Sequence, residues 1–402
     1  MRGLLVALAL AVPCRAAPPA SAARLNEEGI AHLGGGRPEE AVQAFEAALA
    51  ARPGDPVLEK NRAAALAEWG EELRRERRTA EAAARLEQAV RAHPARVRYR
   101  VLLGRARFEC GEDGLRAAAR ADFELALAGD PDHLDALVNL GQIAYLERGL
   151  EEAVARWRRA LELRPGDADI RERLMRALRE LEVERGFAEL PATHFVVRYP
   201  QEIALERAQE VLALCEEARG RLSAAYQSYP PRIAVTLYTP AQFRTATDLH
   251  AWVAGLSDGT IRLTVRPRTG VEILRATIYH ELTHHMVREI APATPVWLHE
   301  GLAQMEEGKS AAAAEARLGR AAVPAAAILG AEVLRQSDPR SAALFYDVAL
   351  AFTAFLHDSQ RGGIARLLRE IGAGRDEAAA FREAYGEPRD DLYERWRSRL
   401  PR

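Results

Sequence analysis

The stretch Val138-Asn-Leu-Gly-Gln-Ile-Ala-Tyr-Leu-Glu-Arg-Gly-Leu-Glu-Glu-Ala-Val-Ala-Arg-Trp-Arg-Arg-Ala-Leu-Glu-Leu163, closed by Pro165, reads as a pair of packed helices. Leu140, Gly141 and Ala144 mark the first helix, and Ala153, Trp157 and Ala160 the second. The same ruler applies three more times upstream. Phe45, Leu86, Phe123 and Trp157 each stand eight residues before Pro53, Pro94, Pro131 and Pro165. Ala48, Ala89, Ala126 and Ala160 stand five before those prolines, and Ala41, Ala82, Ala119 and Ala153 twelve before. A glycine leads by 24 residues in three copies (Gly29, Gly70, Gly141) and by 27 in the other (Gly104), so that copy carries a three-residue insertion. Proline-to-proline steps of 41, 37 and 34 converge on a 34-residue unit. Small residues let the two helices of a unit approach, and proline, which cannot continue a helix, ends it. The bulky residue is expected to fill the groove to the next unit. Ile170 to Glu184 reads as one further helix capping the stack.

This period and residue pattern resemble the tetratricopeptide repeat. The resemblance implies an α-solenoid over residues 23–186 with a concave groove for a protein partner. The plainer alternative is a spacer or assembly platform.

With 402 residues, 48% hydrophobic and 28% charged, the chain has globular composition and room for two or three domains. A formal charge of −2, from 56 basic and 58 acidic residues, argues against a nucleic-acid protein held by bulk electrostatics. Lysine occurs only at Lys60 and Lys309. At the amino terminus Arg2, the apolar run Leu4 to Val12 and a small-residue tract to Ala23 have the order of a secretory signal. The expectation is a signal peptide over residues 1–22, cleaved between Ala16 and Ala22, and hence an exported, periplasmic or secreted protein. The alternative is an ordinary hydrophobic helix. Pro13 directly before Cys14 is a poor match to a lipobox and argues against lipid anchoring. No later segment is long and apolar enough to cross a membrane. Cys110 and Cys215 make neither a disulfide framework nor a C-x-x-C pair, so any metal must rest on histidine and carboxylate.

From about Leu190 the pattern changes. Phe195–Tyr199, Ile233–Tyr238 and Thr260–Val265 read as strands, Glu202 to Tyr226 as a helix, Phe243 to His250 as a polar stretch, and Gly255-Leu-Ser-Asp-Gly259 as a turn. Gly270 opens a helix over Val271 to Ile290, so a small mixed sheet feeds a long helix in an α+β arrangement. That helix carries His280-Glu281-Leu282-Thr283-His284. Residues i and i+4 project from one face a turn apart, so both imidazoles can reach one zinc ion. Glu281, rotated by about 100°, can reach a water on the metal without ligating. Fifteen residues separate His284 from Glu300, enough to end the helix near Pro292, turn, and start another. A carboxylate there completes a His₂Glu set with an open position. His299 is the rival third ligand, His285 sits on another face, and Trp297 and Leu298 read as core anchors.

H-E-L-T-H-H together with W-L-H-E-G-L-A resembles the gluzincin metallopeptidases, in particular the peptidase MA-like domains that follow tetratricopeptide repeats. The likeness covers Thr193 to about Leu400, within a domain over residues 190–402. It implies a mostly α chain, solenoid first and zincin-like α+β domain second. It also implies Zn2+ on His280, His284 and Glu300, Glu281 as general base, and hydrolysis of a peptide or protein substrate. The family supplies an oxyanion donor downstream, and Tyr346 is best placed by order, although a half-buried core aromatic would look the same. The strand Thr260–Val265 would be the edge that pairs with substrate backbone. Gln304 departs from the pattern, standing where the family often has an acid, with Glu306 and Glu307 next in line. Gly362 to Leu400 is expected to hold two closing helices. The rival function is a weak or inactive zinc domain on a repeat-based binding and assembly factor of the cell envelope.

Overall fold

The computed structural model describes residues 21–110, 113–230, 232–247, 255–257, 260–266, 268–319, 329 and 339–400. The expected signal segment before Ser21, with Cys14, and His250 lie outside them. The described residues form eighteen α-helices and five strands: a helical solenoid, then an α+β unit. Among them no helix is long and apolar enough to cross a membrane.

Four hairpins build the solenoid: α1 (Ala22–Gly34) with α2 (Pro38–Ala51), α3 (Pro56–Arg75) with α4 (Thr79–Ala92), α5 (Val97–Glu109) with α6 (Asp113–Gly129), and α7 (Leu134–Leu146) with α8 (Leu150–Leu163). α9 (Ala168–Val183) caps them. Each closing proline lies two residues beyond the second helix of its hairpin, where an extended residue before proline stops the helix. The irregular steps have a simple origin. α3 runs 20 residues against 13 in α1, α5 and α7, and α6 runs 17 against 14 in α2, α4 and α8. The extra residues lengthen helices rather than loops.

The bulky residue of each unit lies on the glycine of its own hairpin, which corrects the expectation of a groove to the next. A methyl group at Gly29 would come within 2.6 Å of the Phe45 ring, at Gly70 within 2.5 Å of Leu86, at Gly104 within 2.9 Å of Phe123, and at Gly141 within 2.4 Å of Trp157. Glycine is required there because two helix backbones approach to the thickness of one side chain.

The α+β unit follows as β1 (Ala188–Pro191), β2 (Phe195–Tyr199), α10 (Leu205–Tyr226), β3 (Ile233–Tyr238), α11 (Pro240–Thr247), β4 (Gly255–Ser257), β5 (Ile261–Thr264), α12 (Val271–Ile290), α13 (Val296–Glu306), α14 (Ala311–Leu318), α15 (Pro339–Ser359), α16 (Gly363–Gly372), α17 (Glu377–Tyr385) and α18 (Arg389–Arg397). The sheet order is β1-β2-β3-β5-β4, with β2, β3 and β5 parallel and both outer strands antiparallel to their neighbours. Three expectations are corrected. Thr260–Val265 is not an edge, because β4 pairs outside β5 and takes that place, in the segment read as a turn. The polar stretch begins inside helix α11, whose capping box sequence signalled it: Thr239 Oγ1 accepts from Gln242 N at 3.3 Å and Gln242 Oε1 from Thr239 N at 2.9 Å. The last segment holds three helices rather than two.

One face of the sheet (Phe195, Val197, Ile233, Val235, Leu237, Ile261, Leu263) packs on α10 and α12 through Val211, Leu222, Leu274, Ile278, Leu282 and Met286. The other face meets the solenoid cap. Arg262 on β5, paired in register with Thr236 of β3, is fully buried and reaches Glu180 of α9 at 3.2 Å. Glu180 also accepts from Tyr145 (2.5 Å) and Arg148 (2.7 Å), and Glu184 accepts from Arg148 and Tyr238. The solenoid is thereby welded to the sheet by buried charge. Removing one partner of such a network strands the others. Arg262→Met should cost ~3–5 kcal/mol of unfolding free energy in denaturant titration, and a loss near zero would show the network to be solvated.

Candidate metal centre

α12 starts at Gly270 and runs for 20 residues, which sets His280 and His284 one turn apart on a single face. The chain then turns through Ala291 to Thr294, whose Oγ1 donates to Ala291 O at 2.7 Å, and re-enters helix after Pro295. Trp297 and Leu298 are fully buried, Trp297 against Phe352 (5.3 Å between ring centroids) and Phe381 (6.3 Å), as the core-anchor reading expected. They seat α13 so that Glu300 faces the two histidines. Gly301 allows this: a methyl group there would lie 2.0 Å from Thr353 Oγ1 and 2.4 Å from Ala349 O of α15.

His280, His284 and Glu300 each offer one ligand atom, all within 4.8 Å of one another. The Nε2 atoms of the two histidines are 3.2 Å apart, and Glu300 Oε1 is 3.7 Å from His284 Nε2. Ligand atoms of a tetrahedral site with ~2.0–2.1 Å arms lie about 3.3–3.4 Å apart, so this spacing suits a small divalent cation. The outer nitrogens agree. His280 Nδ1 faces Glu307 Oε2 at 3.0 Å, and His284 Nδ1 faces His299 Nδ1 at 3.4 Å. A carboxylate only accepts, so Nδ1 of His280 carries a proton, as ligation of a metal through its Nε2 would require. His299 is thus the neighbour behind His284, and Glu300 is the residue grouped with both histidines.

Side-chain exposures of 22% for His280, 14% for His284 and 20% for Glu300 leave the cluster reachable from solvent. Burial pushes the Glu281 carboxyl up to about 7, aided by the nearby Glu300 and Glu307 charges and opposed by His280. Burial also lifts Glu300. Burial would lower His280, but the Glu307 hydrogen bond and the Glu281, Glu300 and Glu307 charges outweigh it, so its net shift is upward. Burial, then the charges of His280, His299 and Arg288, drop His284 to about 3.

The solenoid half consists of four stacked helix hairpins and a capping helix. Among solved structures the chain is similar to a tetratricopeptide repeat protein of Thermus thermophilus (24% identity over 39% of this chain and 99% of that one, TM-score 0.23). It is also similar to one from Parabacteroides merdae (14% identity, 87% and 98%, TM-score 0.37) and to a mutant O-GlcNAc transferase of Thermobaculum terrenum (17% identity, 57% and 44%, TM-score 0.28). No protein-family model and no curated protein matches the chain.

Tyr346 lies on α15, 37% exposed, its phenol raised by burial and then by the Glu300 charge. Gln304 is buried and donates from Nε2 to Tyr346 O at 3.0 Å, holding α15 to α13. His285, buried on another face of α12, stays outside the cluster. The residue that sequence spacing left undecided is Glu307, seven positions past Glu300 and one helix cap away.

Two outcomes follow from this packing. Gly301→Ala should destabilise the protein by ~1–3 kcal/mol in denaturant titration, because backbone and a β-branched side chain cannot yield. The second concerns pH. Burial holds His284 at about 3 and His285 and His299 at about 4, against a usual 6.5. Between those values the unfolded chain binds protons that the folded chain does not, so their contribution is whole above pH 6.5 and drains away as pH falls. Glu281 and Glu300, shifted the other way, oppose with two protons against three, while the upward shift of His280 acts above pH 6.5. The chelator-treated protein should therefore melt at steadily lower temperature from pH 6.5 to pH 4; a flat profile would contradict the burial of these rings.

Proposed function

We propose that the chain is an exported zinc-dependent metallopeptidase, with His280, His284 and Glu300 as the metal ligands, acting on a peptide or protein. The supporting observation is the convergence of one ligand atom from each of two imidazoles and one carboxylate within 4.8 Å, with the buried Glu281 beside them. The two Nε2 atoms stand 3.2 Å apart, a separation that two ligands of one small cation would have, and the donor set is one that zinc favours. Bound there, zinc supplies Lewis-acid polarisation of a carbonyl and of a water.

The remaining chemistry belongs to the chain. A carboxyl balanced at about 7 can accept the proton of an attacking water near neutrality and return it to the departing amine. Tyr346, partly exposed and within the field of Glu300, serves as the donor to the oxyanion that develops on the substrate. The solenoid recruits the substrate or a partner. Gln142, Tyr145, Trp157, Asp169, Glu172 and Arg173 line a recess of about 270 Å³ on it, where Arg173 donates to Gln142 Oε1. That recess also favours a second reading, in which the chain is a repeat-based binding or assembly factor and its metal centre turns nothing over.

Glu281→Gln separates the two. It removes the base and leaves the ligands, so zinc content by elemental analysis should stay near one per chain. Cleavage of an unfolded protein mixture should fall by about 10²–10⁴-fold. Equal cleavage by the variant, or a parent chain that cleaves nothing while holding zinc, would leave the binding role.

A further inference from the structure

We infer that Glu307 is the positioning residue that locks the His280 ring for metal ligation, delivered to it by the carboxy-terminal cap of α13. This rests on the metal-centre reading above.

Three polar side chains past Glu300 are near enough in sequence to orient a metal histidine, and the structure commits each to one task. Gln304, one turn on, donates to Tyr346 O and carries no charge. Glu306 faces the opposite way: Tyr226 donates to its Oε1 at 3.2 Å and Arg221 to its Oε2 at 3.0 Å. Glu307 alone of the three meets His280, Oε2 to Nδ1 at 3.0 Å. It does so because the helix ends on it. Gly308 adopts a left-handed φ of +88°, and Lys309 N then turns back to donate to Gln304 O at 3.0 Å. That reversal is a glycine cap, which few other residues could form.

The cap also places the Lys309 ammonium 3.1 Å from the same Glu307 oxygen that receives His280. The carboxylate is thus held from both sides, and a held carboxylate fixes both the tautomer and the rotation of the ring behind which it sits. Among the described residues the second metal histidine has no carboxylate behind it. His284 is backed by the imidazole of His299 at a looser 3.4 Å. The ordering charge is applied to one histidine, from a residue seven positions past the carboxylate ligand rather than four.

The test uses the full chain. Zinc affinity is measured by competition with a chelating dye for the parent, Glu307→Gln and Glu306→Gln. Glu307→Gln should bind zinc about 10–100-fold more weakly. Glu306→Gln should lower the melting temperature of the metal-free protein and leave zinc affinity unchanged. Nitrogen-15 spectra of the metal-free parent in alkaline solution should show His280 protonated on Nδ1, a readout that needs no variant to fold. If the parent takes up no zinc, the metal-centre reading fails. If it binds zinc and Glu307→Gln binds equally well, if Glu306→Gln weakens zinc just as much, or if His280 carries its proton on Nε2, this inference fails and that reading stands.

Discussion

Two imidazole Nε2 atoms held 3.2 Å apart beside a carboxylate form a cluster of donor atoms at the spacing of ligands around one small cation. The surroundings fix the rotation of both rings. Glu307 and His299 stand behind the rings, and α13 is pressed onto α15 through Gly301 so closely that no side chain fits between. Trp297 drives the same helix into an aromatic cluster with Phe352 and Phe381. The burial that holds the rings also withholds protons from His284 and keeps one on Glu281 near neutrality. Packing and electrostatics are here one constraint seen twice.

The second constraint lies on the far side of the sheet. Arg262 belongs to β5, the strand that leads into α12, and its guanidinium is buried against Glu180 of the solenoid cap. A further link joins Arg116 of α6 to Glu289 near the end of α12, at 3.3 Å. The helix bearing the histidines is therefore tied to the repeats at the strand before it and at its own end. Recruitment by the solenoid would act from a fixed position rather than from a tether.

Much of this was legible in the chain. The recurring small residues and closing prolines predicted helix hairpins, because small residues let two backbones approach and proline ends the second helix. A helix from about Val271 to Ile290 was readable from Gly270, and α12 spans those residues. The failures were local signals outvoted or overlooked. Gly255 and Gly259 looked like a turn, yet Gly255–Ser257 is held straight by β5, a partner that composition does not reveal. Thr239 and Gln242 announced α11 through a capping box.

Periodicity and spacing are properties of one chain, so they determined the hairpins, the one-turn separation of His280 and His284, and the second helix bearing Glu300. Which strand lies at the rim of a sheet, and which of Gln304, Glu306 and Glu307 turns toward a histidine, depend on what packs alongside. Those choices were made when α13 docked on α15 and Gly308 reversed the chain. A side chain's direction at a helix end is set by the cap and by neighbours distant in sequence, and no local pattern encodes either.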